Sequence, residues 1–108
     1  MTTSFEKYTN RVRYLTECNL KQSGINIENR MTNNVDHIFS IRKGYQLGIP
    51  EELIASIDNL QIMNYKLNRQ KGSKITTGIP NHILEYMIKM LFIIDGLIKQ
   101  MIHLHIQR

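Results

Sequence analysis

Four histidines, one cysteine and nine carboxylates are the side chains through which this chain could do acid–base, nucleophilic or metal chemistry. Their spacing brings few of them together. His103 and His105 stand two apart, a separation that turns side chains away from each other on a helix. His82 and Glu85 stand three apart and share a helical face, but a closed zinc site takes four ligands. Cys18 and His37 have no partner at ligand spacing. The acids look structural: Glu17–Lys21, Glu85–Lys89 and Asp95–Lys99 are acid-before-base pairs at i, i+4, each worth a few tenths of a kcal/mol on a helix. Glu51 and Glu52 follow Pro50, where negative charge suits the positive end of a helix dipole. No glycine-rich phosphate loop, Walker motif or nucleophile elbow occurs. The expectation is a non-enzymatic protein with no catalytic residue, cofactor or metal.

The cations offer a second chemistry, contact with phosphate. The formal net charge is +5 and the pI about 9.5. Lys66, Arg69, Lys71 and Lys74 surround Gly72-Ser73, and Arg42 and Lys43 form a separate pair. A small nucleic-acid-binding regulator using the loops at 42–43 and 66–74 is therefore the alternative reading. The plainer account is that these cations cap helix C-termini. Nucleic-acid surfaces usually carry denser charge with interleaved aromatics, and only Tyr65 lies near the larger cluster. Arg11 and Arg13, at i and i+2 near Tyr8 and Tyr14, point apart and read as a solvated face.

Arg30 and His37 stand in R-x6-H spacing. This resembles the R-x4-6-H signature of HEPN ribonucleases, helical and often dimeric proteins in which the pair faces a dimer cleft and cleaves RNA. The resemblance covers these two residues and nothing else of the chain. It implies His37 as acid or base, with Asp36 the only carboxylate at hand to orient it.

Four helices would position these residues. The first is expected over about 4–21: Thr3 and Glu6 have capping-box spacing, and Phe5, Tyr8, Val12 and Leu15 share a face. The second is expected over 26–42, with Ile27, Met31, Val35, Ile38 and Phe39 as its stripe and Gly44 as a left-handed cap. The third is expected over 50–69 with Leu53, Ile57, Leu60 and Leu67 as its seam, and the fourth over 80–107. Gly48-Ile49-Pro50 and Gly78-Ile79-Pro80 begin a repeated G-I-P-x-x-aliphatic-aliphatic pattern, the same helix start used twice. No strand pattern competes. The fold class predicted is an all-α, antiparallel four-helix bundle, one helical domain over 1–108, with a long and very apolar C-terminal helix.

Helix four decides the functional expectation. At about 27 residues it would be about 40 Å long, and so overhang its shorter neighbours by roughly 10 Å or more. Its Ile83, Met87, Met90, Ile94, Leu97, Met101 and Leu104 alternate spacings of four and three, with Leu84, Ile88, Leu91, Ile98 and Ile102 as a second stripe. That face is wider than the seam of a two-stranded coiled coil, and a contiguous apolar patch marks an interface. Met87, Met90, Ile94, Leu97, Met101, Ile102, Leu104 and Ile106 are the candidate interface, serving self-association or a protein partner. A break at Gly96 would instead fold the end back over the core.

Composition sets the remaining expectations. At 108 residues with 42% hydrophobic and 21% charged residues, the chain is neither a disordered tail nor a multidomain enzyme. Seventeen Ile and ten Asn against one Ala and two Val suggest an AT-rich genome rather than special chemistry. A lone Cys18 fits a reducing compartment, and MTTSFEKYTNRVRY lacks the apolar stretch of a secretory signal. Glu85, Lys89, Asp95 and Lys99 interrupt the most apolar run, so no membrane span is expected and the location expected is cytoplasmic.

Overall fold

A computed structural model of the chain describes residues 1–25, 27, 33–64, 70–71 and 78–107. The elements in chain order are α1 (Ser4–Ser23), β1 (Asn33–His37), α2 (Ile41–Gln46), α3 (Glu51–Ile54), a 3-10 turn (Ile57–Asn59), β2 (Leu60–Asn64) and α4 (Asn81–Ile106). The protein is not a four-helix bundle and not all-α: among the described elements two helices are long, two are one to two turns, and β1 and β2 form an antiparallel sheet.

The first helix forms where its caps put it. Thr3 Oγ1 accepts from the Glu6 N–H at 3.1 Å, and Gly24 ends the helix in the left-handed region at φ 72°. Tyr8, Val12, Thr16 and Leu20 are its buried face.

Of the helix expected over 26–42, residues 26 and 28–32 lie outside the described residues, and over 33–42 it is replaced by β1 and the start of α2. Ile27, Met31 and Val35 recur every four residues, which is one helical turn but also two strand repeats, so the spacing fits both structures. Paired asparagines at 33–34 disfavour helix, and Val35 finds Ile62 across the ladder, the β-branched pairing that stabilises a sheet. Ser40 then caps α2 by accepting from the Lys43 N–H at 3.1 Å. Gly44 lies inside α2 rather than beyond it. A Cβ there would come within 2.6 Å of the Tyr8 hydroxyl and 2.7 Å of Ile54 Cγ1, so its missing side chain lets α2 pack against α1 and α3.

The expected helix over 50–69 stops at Ile54. Ser56 donates its hydroxyl to the Leu53 carbonyl at 2.8 Å, one of the local side-chain bonds that compete with helix. Asn59 then closes the excursion between the strands. Its side chain accepts from the Phe39 N–H at 2.7 Å and donates to the carbonyls of Phe39 at 3.0 Å and Ile54 at 2.8 Å. Asn59 and Phe39 are both buried.

The repeated G-I-P motif does what its spacing predicts. Pro50 and Pro80 stand just before α3 and α4 with nearly identical backbone angles. The Pro50 carbonyl accepts from Leu53 and Ile54, and the Pro80 carbonyl from Ile83 and Leu84. Ile54 and Ile83 go into a core shared with Tyr8, Val12, Phe39, Ile49 and Ala55.

Candidate interaction surface

Only the first turns of α4 belong to that core. Ile83 is fully buried, and Tyr86 and Met87 pack partly buried at the core's edge. His82 ties the same turn to α3, with Nε2 2.5 Å from Ser56 Oγ and 3.2 Å from the Leu53 carbonyl. Because the Ser56 hydroxyl already donates to Leu53, its oxygen accepts and His82 Nε2 carries the proton. His82 is therefore a joint in the fold, and the His82–Glu85 ligand pair has no third member: no group of three His, Cys, Asp or Glu that could hold a metal occurs among the described residues.

From Ile88 to Gln107 every residue is exposed. The helix runs unbroken through Gly96, and a Cβ at that glycine would meet nothing within 4 Å. The fold-back at Gly96 does not occur, and the overhang is about 28 Å at 1.5 Å per residue, within the expectation of roughly 10 Å or more. It dominates the molecule's shape, 65 × 35 × 29 Å. Met90, Ile94, Leu97, Met101, Ile102, Leu104 and Ile106 all lie on this exposed segment. Met87 alone of the predicted set is half-buried in the chain's own core.

Phe92 and Ile93, which fall outside both predicted stripes, are also exposed, Phe92 to 72%. The signal for them was the uninterrupted run Met90-Leu91-Phe92-Ile93-Ile94, which no single helical face can hold. At 100° per residue, the apolar side chains from Ile93 through Leu97, Ile94 and Ile98 to Ile102 sweep about half the helix circumference. The other half carries Lys89, Lys99, His103, Gln100 and the lone aromatic Phe92, and Ile88 and Ile106 also fall on it, so Ile106 alone of the exposed predicted interface stands off the apolar half. The ions of the polar half balance: Glu85 and Asp95 against Lys89 and Lys99, with Asp95 and Lys99 paired at 3.0 Å in solvent. No helix among the described residues is long and apolar enough to cross a membrane.

The polar residues singled out by spacing are placed otherwise. Lys71 is buried with its ammonium 3.2 Å from Asp36 Oδ1 and 2.9 Å from the His37 carbonyl. Asp36 Oδ2 accepts from Gln61 at 2.8 Å, its cross-strand partner. Lys71 thus belongs to the interior and presents no charge to a phosphate. Lys66, Arg69 and Lys74 lie outside the described residues, as does Arg30. Arg42 is exposed and stacks its guanidinium 5.2 Å from the Phe5 ring, while Lys43 is half-buried. His37 sits on a strand, not a helix. Thr16 donates to the Val12 carbonyl at 2.8 Å and so accepts from His37 Nε2 at 3.0 Å. Burial first, then the charges of Lys71 and Arg13, lower the His37 pKa to about 4 against the opposing pull of Asp36. It is a neutral structural donor at ordinary pH.

Compared with protein families, with curated proteins and with solved structures, the chain matches none.

Proposed function

We propose that this chain is a non-enzymatic protein–protein interaction module or small assembly subunit, and that α4 beyond Ile88 is its binding element. One observation carries the reading: about 28 Å of helix whose Leu91, Ile94, Leu97, Ile98, Met101 and Leu104 stand 47–69% exposed. Water penalises that surface at roughly 25 cal/mol per Å², and a helix of this length without tertiary contacts is marginal in water. Both costs are relieved when the apolar half is covered. The head supports the same role, since its Asp36, Lys71, Gln61, His37 and Thr16 hold one another and its packed core fixes the base of α4.

The test is a photo-crosslinking residue at Leu97, with the same residue at exposed Lys21 as control, in the cells that make the protein. Adducts from position 97 and none from 21, lost on adding Met101→Lys and Leu104→Lys, support the reading. No adduct from position 97 contradicts it.

A further inference from the structure

We infer that the occupant of the free helix is a second copy of this chain, docked antiparallel. The inference rests on the interaction reading above and names its partner.

Three observations converge on it. The first is area. Ten large apolar side chains on the apolar half between Leu84 and Leu104 are at least 36% exposed, on the order of 900 Å² of apolar surface at roughly 60–120 Å² per side chain. A standard stable interface needs about 800 Å² from each partner, so one copy carries a share of that size, and a two-fold pairing covers the seam of both copies at once.

The second is register. In antiparallel coiled packing, a positions of one helix meet d positions of the other. Here Met90 faces the partner's Met101 and Ile94 faces the partner's Leu97, each contact repeated by symmetry, with Met87 facing the partner's Leu104 at the two ends. The two-fold axis falls between Asp95 and Gly96, near the middle of the segment that the fold leaves free. The helix is therefore self-complementary from Met87 to Leu104. No Lys, Arg, Asp or Glu occupies the flanks of this seam, which carry Leu91, Ile98 and His105 on one side and Ile93, Gln100 and Gln107 on the other.

The third is charge and shape. A lipid surface attracts amphipathic helices through an excess of cations on the polar face, but this polar face carries two acids and two bases. Packed helices run 8–10 Å apart, while the molecule measures 35 × 29 Å across its long axis. Parallel pairing would force two heads to the same level at that spacing; antiparallel pairing sends them to opposite ends.

The experiment combines mass with a distance. The full chain carrying Cys18→Ser and His103→Cys, spin-labelled on the polar face at 103, is weighed by sedimentation equilibrium and measured by pulsed electron resonance. The expected result is twice the 12.7 kDa chain mass and labels offset by about 22 Å along the helix axis. Labels at the same level show a parallel pair and overturn the inference, leaving the interaction reading intact. A monomer at all micromolar concentrations also overturns it. The Leu97 crosslink then decides the broader reading separately, because an adduct with a different protein keeps that reading and no adduct ends it.

Discussion

Ser56 Oγ lies 2.5 Å from His82 Nε2, and this contact joins the end of α3 to the first turn of α4. One residue later Ile83 enters the core at zero exposure. The long helix is thus gripped at its base and released beyond Met87. A helix anchored at one end and apolar along the rest is a presented surface.

That division predicts opposite outcomes for two similar truncations. Ile83→Ala removes a fully buried side chain and is expected to destabilise the head by about 2–5 kcal/mol. Leu97→Ala removes a side chain 55% exposed in the single chain and is expected to leave the unfolding of the dissociated chain within about 0.5 kcal/mol while weakening association. Urea unfolding in the Met101→Lys/Leu104→Lys background, beside sedimentation of each single variant, separates the two. Equal losses of head stability would show that Leu97 packs on the head.

The ion pair of Lys71 and Asp36 is sealed in the interior, at 2% and 6% side-chain exposure. Lys71→Met strands a buried carboxylate that keeps only the Gln61 bond, and is expected to cost about 3–5 kcal/mol. Adding Asp36→Asn in the same chain should restore most of that loss, because the charge left alone is gone. Thermal unfolding of the two single variants and the double checks it. An unaffected Lys71→Met variant would place the lysine in solvent, where a phosphate could reach it.

The pH dependence follows from His37. Its folded pKa of about 4 lies below the ordinary value of 6.5, so between those values the unfolded chain takes up more protons. Stability is complete above about pH 6.5 and declines as pH falls toward 4, by up to about 3 kcal/mol. Urea midpoints from pH 7.5 to 4 on the dissociated chain should show this slope, and His37→Gln should flatten it. A wild-type profile as flat as that of His37→Gln contradicts the buried, neutral imidazole.

What could be read from the sequence tracks where local rules act alone. Thr3 and Glu6 marked the start of α1, and the twin prolines marked α3 and α4, because caps and fixed φ angles work within a turn. The middle of the chain misled for an equally physical reason. Residues 27, 31 and 35 share a face in either a helix or a strand, and the choice was made by Ile62 and Asn59, more than twenty residues away. Lys71 counted as a surface cation until the fold brought Asp36 to it. The apolar face of α4 was the most legible part, since helical spacing alone arrays Met90, Ile94, Leu97 and Met101. How much of that face stays exposed was not, because only the small size of the packed head shows how much of α4 is left uncovered.

Amide hydrogen exchange of Ile88–Gln107 in the full chain tests the central claim most directly. This segment makes no core contact of its own, so any strong protection must come from a bound surface. The account predicts slow exchange at micromolar concentration that becomes fast on dilution or on introducing Met101→Lys and Leu104→Lys. Exchange at the rate of an isolated helix at every concentration, with the mass fixed at 12.7 kDa, would contradict it.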